Sequence, residues 1–215
     1  MIQSFLASVP VPLRPAFASM VDLEGQLRRL YDEGQQQWPQ LTVDPIRFVA
    51  YVASHLQADR RADQALAAVR ASDMYLTCSC ADGDTTALHA FDERFIGEID
   101  LALARMRLSA AQVDEVKQLV RQKLFVPSGE RPGRIVDYSG RGDLRRWVRS
   151  IAVRTCLNQM RKGKRELPSQ DDRVFDAMSS NDDDPEIAYM KERYRNEFRQ
   201  AFQKALAGLT DRQQN

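Results

Sequence analysis

The chain has 215 residues, of which 43% are hydrophobic and 28% charged, and its formal net charge is +1. That is enough for one large domain or two small ones with a proper core, and it excludes a disordered or fibrous chain. No run approaches the roughly 18 apolar residues of a membrane span, and residues 1–8 lack the basic start of a secretory signal, with Pro10, Pro12 and Pro15 interrupting the next stretch of chain.

Three cysteines do not make a disulfide framework in a chain of this size. Cys78 and Cys80 stand two apart without a second Cys pair or a His cluster, so they read as structural thiols and not as zinc ligands. The expectation is a cytoplasmic protein with no cofactor and no membrane partner.

Residues 1–20 read as a loose, proline-punctuated lead-in. Residues 21–34 carry Val21, Leu23, Leu27, Leu30 and Tyr31 at helical spacing, closed by Gly34. Asp44-Pro45 places an N-cap and a first-turn proline ahead of Phe48, Val49, Val52 and Leu56. A third segment, about 61–80, offers Leu66, Val69, Met74 and Leu76.

After the turn Ala81-Asp82-Gly83-Asp84, Thr85 or Thr86 caps a long helix to about Arg107. Its stripe is Leu88, Phe91, Phe95, Ile99, Leu103 and Met106. Ser109 and Gln112 form a capping box for the next helix, whose buried side is Val113, Val116, Leu119, Val120 and Leu124. Residues 127–142 hold two prolines and four glycines, a loop with shape requirements. Asp143 then caps a helix with Leu144, Val148, Ile151, Ala152, Thr155 and Met160 on its core side. A linker and a final helix, 185–209, complete a chain expected to be all-α.

Charge is unevenly placed. Residues 141–165 contain nine basic groups and one acidic group, a net +8, whereas residues 166–186 contain eight acidic groups and one basic group, a net −7. Basic helices bind phosphate backbones by releasing counterions, and aromatic residues beside arginine can stack on single-stranded bases. The plainer alternatives are a solvated helix face and, for Trp147, a place in the core. At low salt the acidic linker is expected to be drawn to the basic helix, or merely to tether two domains.

The segment YSGRGDLRRWVRSIAVRTCLNQMRK (138–162) resembles the second conserved region of bacterial sigma factors of the extracytoplasmic-function type. The shared features are an aromatic, a Gly-rich turn, Leu-Arg-x-Trp, an Ile-Ala pair and a basic end. VDEVKQLVRQKLF ahead of it resembles the family's polymerase-docking helix, and ALHAFDERFIGEIDLALARM its first core helix. The resemblance covers about residues 72–165. It implies an N-terminal helical extension over 1–71, a region-2-like bundle over 72–165, an acidic linker over 166–184 and the start of a region-4-like domain over 185–215. The chain ends before the helix-turn-helix of that region, so upstream-element recognition is not expected of it.

By that resemblance the protein would be a sigma factor, docking on the clamp helices of the largest subunit of core RNA polymerase and capturing the melted non-template strand of the minus-ten element. An anti-sigma factor would be a further possible partner. Docking would fall to Asp114, Glu115, Lys117, Gln118 and Arg121. DNA binding would fall to Tyr138, Arg141, Arg145, Arg146, Trp147, Arg149, Arg154, Asn158, Arg161 and Lys162, with Asn158 as a base reader and loop 127–142 holding a flipped base. The alternatives are a helical DNA-binding regulator that never meets polymerase and a protein–protein adaptor. An enzyme is the least expected reading, because only His55 and His89 are present and no phosphate loop or nucleophile set appears.

Overall fold

The computed structural model describes residues 1–162, the side chains to Met160. The expected linker 166–184 and the expected helix from 185 lie outside the described residues. Every regular element among them is helical, apart from one bridge between Ser128 and Arg131. The expected all-α class is therefore correct.

The lead-in is structured. α1 (Ile2–Ser8), a 3₁₀ turn (Val11–Leu13) and α2 (Arg14–Ala18) bury Phe5, Val9, Leu13 and Phe17. Phe5 and Phe17 meet edge to face at 5.1 Å, and α1 packs along α4 (Pro45–His55). Each such aromatic contributes about 1.5–3 kcal/mol by leaving water. α4 begins as expected: the Asp44 carboxylate accepts from the Arg47 amide at 2.8 Å, with Pro45 in the first turn.

α3 (Leu23–Gln37) runs past Gly34, which is not its terminator. A Cβ at Gly34 would lie 2.6 Å from Cβ of Tyr75, so the glycine lets α3 approach α6 (Ala71–Ala81) closely. Val21 lies ahead of α3 and is 87% exposed, outside the core where its spacing placed it. Around the contact, Tyr31, Phe48 and Tyr75 form a triangle with centroids 5.6, 5.7 and 5.9 Å apart. The Tyr75 hydroxyl accepts from the Val43 amide at 3.2 Å, which leaves it satisfied in the core.

The third segment, about 61–80, forms two helices, α5 (Ala62–Ala67) and α6. The break at residues 68–70 is held from a distance: the Arg70 amide donates to the Gly140 carbonyl at 2.8 Å. From Met74 to Cys80 every residue of α6 is buried. A helix buried on every side belongs at the centre of a fold, and α6, with Thr77 and Ser79 among its buried residues, packs on α3, α4, α7 (Thr85–Phe91) and the 3₁₀ turn Arg134–Asp137. Residues 1–156 accordingly form one compact unit, and the expected division at 71/72 falls inside it. The second unit starts at Leu157, and of it only the end of the last helix is described.

The expected long helix exists with one irregularity. α7 is capped by Asp84, whose carboxylate accepts from Thr86 and Ala87 amides at 2.7 and 3.0 Å, rather than by a threonine. A π turn (Asp92–Ile96) joins it to α8 (Gly97–Leu103), and a 3₁₀ turn ends at Met106. Arg107 then reverses the chain in the left-handed region, at φ 54°. The Ser109–Gln112 capping box opens α9 (Ala110–Phe125) as expected. α10 (Leu144–Lys162) buries Leu144, Val148, Ile151, Ala152 and Thr155, whereas Met160 is exposed. No described helix is long and apolar enough to cross a membrane.

Candidate nucleic-acid interface

The loop before α10 is built on one carboxylate. Asp73, in the first turn of α6 and 14% exposed in its side chain, accepts from the Arg70 guanidinium at 2.9 Å, the Tyr138 hydroxyl at 3.0 Å and the Leu144 amide at 3.2 Å. It satisfies an orphan amide of the α10 N-terminus from another helix. Asp143 adds the expected local cap, accepting from the Arg145 amide at 2.8 Å. Gly140 holds φ 74° and a Cβ there would lie 2.6 Å from the Met74 sulfur, so only glycine lets the loop lie this close to α6. His55 reaches the same loop, its Nε2 lying 2.6 Å from the Val136 carbonyl.

Tyr138 was expected to present its ring to DNA, and the structure puts it in the core. It is 1% exposed, its hydroxyl faces Asp73 and the Gly142 carbonyl, and its ring packs edge to face on Trp147 at 5.4 Å. Burial, with Asp73 second, pushes the Tyr138 phenol up from its ordinary value. Tyr138 is thus a prop for Trp147, which is itself half-buried and keeps part of its indole at the surface.

The expected cations divide into two kinds. Arg141 forms a two-pronged pair with Asp59, one arm at 2.7 Å. That partner raises the Arg141 guanidinium pKa, and the same hydrogen bond lowers the Asp59 carboxyl. Arg149 places Nε and Nη2 at 3.0 and 2.7 Å from one oxygen of Glu98, and Arg145 approaches the other oxygen at 3.8 Å. Glu98 is 13% exposed and fastens α8 to α10. Arg146 is exposed and carries no ion pair among the described residues. Arg154 and Asn158 are half-buried, and the side chains of Arg161 and Lys162 lie outside the described residues.

The expected docking residues divide in the same way. Lys117 pairs with Asp100 at 2.7 Å and Arg121 grips Asp92 with two hydrogen bonds at 2.5 and 2.8 Å. Hydrogen bonding to Asp92 raises the Arg121 guanidinium pKa. Both side chains tie α9 back to the helix before it and are largely spent inside the fold. Asp114, Glu115 and Gln118 are exposed and share one stripe of α9.

The carboxylates Asp59, Asp73, Asp92 and Glu98 organise this region, and sequence patterning did not single them out. Apart from the Arg70–Asp73 contact, the partners cited above are 29 to 82 residues away, beyond any helical period. Among the described residues no group of three or more His, Cys, Asp or Glu side chains is disposed to hold a metal ion. No family model matches the chain, and neither the curated proteins nor the solved structures contain a match.

Proposed function

We propose that the chain is a sigma-type subunit that docks on core RNA polymerase and captures melted promoter DNA. The observation that carries this reading is the motif 138–162, whose Gly-rich turn leads directly into one capped helix, α10, that carries the Leu-Arg-Arg-Trp start and the arginine series, with the half-buried Trp147 near its beginning. The physical task matches these residues. Unstacking a base costs a few kcal/mol, and an aromatic surface with phosphate-contacting arginines recovers it. Trp147 would meet the base, and Arg146 with the outer arms of Arg145 and Arg154 would follow the backbone.

Pairing of Arg141 and Arg149 with Asp59 and Glu98 lowers the number of freely available cations, so the isolated protein would bind single-stranded DNA weakly. Polymerase would supply the missing affinity through the outer stripe of α9, which offers Asp114, Glu115 and Gln118. Core polymerase immobilised on resin should retain the chain, and the Asp114→Lys, Glu115→Lys double variant should be retained at least tenfold less while keeping its helical circular dichroism. Equal retention of both proteins removes α9 as the dock. No retention of either leaves a DNA-binding regulator acting without polymerase.

A further inference from the structure

A cleft of about 260 Å³ opens where four separate segments converge: the end of α3, the start of α6, the π turn and the start of α10. Its walls carry Trp38, Arg70, Arg94 and Arg145, with Phe95 and the carboxylates Asp73 and Asp143 completing it. None of loop 127–142 lines it. The volume is just under the usual range for drug-sized ligands, which suits one small planar group with a charged substituent.

Each chemical feature points to the same ligand class. Trp38 is fixed, because its indole Nε1–H donates to the Ser72 carbonyl at 3.0 Å, and it is only half-buried. An immobilised, partly open indole is a stacking surface that loses little entropy on binding. Three guanidinium groups outnumber two carboxylates. Asp73 is already engaged by Arg70, Tyr138 and Leu144, and Asp143 by the Arg145 amide with Arg70 at 3.7 Å. Arg94 is exposed and makes no ion pair among the described residues. Among the described residues the Arg145 guanidinium has only its long 3.8 Å approach to Glu98. Planar forked guanidinium groups match phosphate oxygens.

We propose that this cleft binds one nucleotide, its base on Trp38 and its phosphate on Arg94 and Arg145. The nucleotide is either free or one unit of a single strand, and only the second source rests on the proposed DNA-binding role of α10. The site joins Trp38 and Arg70, from the segment the sequence set apart as an extension, to the start of the basic helix.

The protein has two tryptophans, so Trp147→Phe leaves Trp38 as the sole indole reporter. In that background, dAMP, inorganic phosphate and a single-stranded dodecamer are titrated against Trp38 fluorescence, with dodecamer binding followed separately by anisotropy on the parent chain, which keeps Trp147. Saturable quenching by dAMP identifies the free nucleotide; quenching by the dodecamer alone identifies the strand. Arg94→Ala should weaken either at least fivefold with unchanged circular dichroism, and Arg94→Lys should recover part of it. For the strand the salt slope should fall by about one. Dodecamer binding with Trp38 silent and Arg94→Ala neutral overturns the cleft and leaves the strand-binding reading standing. Quenching by dAMP without any dodecamer binding sustains the cleft while the reading of α10 fails. Phosphate quenching as strongly as dAMP overturns the nucleotide assignment, and no response to any probe overturns the site.

Discussion

Replacing Asp73 with Ala tests the central structural claim, that loop 127–142 and the start of α10 are held from α6. Three donors lose their acceptor. The Leu144 amide becomes an uncapped helix terminus, a loss of about 1 kcal/mol. The Tyr138 hydroxyl loses a charge-assisted bond of about 1.5–3 kcal/mol, reduced because the Gly142 carbonyl remains beside it. Arg70, half exposed, adds about 0–1 kcal/mol. The sum is about 3 kcal/mol, which at a urea m-value of about 2 kcal/mol/M moves the midpoint by about 1.5 M. Tyr138→Phe should lower stability by about 1 kcal/mol, and the double variant should lose less than the sum of the singles, because the two share a bond. Urea unfolding followed by tryptophan fluorescence and by circular dichroism reads both. An Asp73→Ala midpoint within about 0.2 M of the parent, about 0.4 kcal/mol at that m-value, would refute the node.

Glu98→Gln should free Arg149 and Arg145 and tighten single-stranded DNA binding about threefold at low salt, with the gain fading as salt screens the charges; unchanged affinity at low salt means that Glu98 does not compete with phosphate. Burial pushes the Cys78 and Cys80 thiols from 9.0 up to about 12. Neither should therefore react with a thiol reagent at pH 8 until urea unfolds the chain. The unfolded thiols ionise first, so their contribution to stability is complete below pH 9 and is lost as pH rises toward 12. Rapid native labelling at both positions would contradict their placement in α6.

Local chemistry was the legible part of this fold. Asp44-Pro45, Ser109–Gln112 and Asp143 act as the sequence says they should, since a cap is settled within one turn of chain. The spacing Phe5, Val9, Leu13, Phe17, four residues apart each time, also announces the buried side of the lead-in, although prolines at 10, 12 and 15 obscure it. Val21 and Met160 fit the helical stripe and are exposed, because periodicity names a face and neighbours decide whether it is covered. The same limit applies to charge. Residues Arg121, Arg141 and Arg149 look alike in the sequence as basic positions on or beside helices, yet each is held by an acid from another segment. A net charge of +8 over residues 141–165 counts those groups without showing which are spoken for. Tyr138 was readable as an aromatic near arginines; its role as a support for Trp147 needed Asp73, 65 residues earlier.

The central position of α6 also bears on the order in which the protein can acquire its structure during synthesis. The N-terminal helices leave the ribosome first, but the surfaces of α3 and α4 that face inward have no cover until residues 71–81 emerge. At about 5–20 residues per second, the Gly140 carbonyl that receives the Arg70 amide is made some 3–14 s after Arg70 itself. During that interval Tyr75 and its neighbours form a core with one wall missing. The start of the chain thus remains dependent on what comes later, and the last loop to arrive is the one that closes the unit.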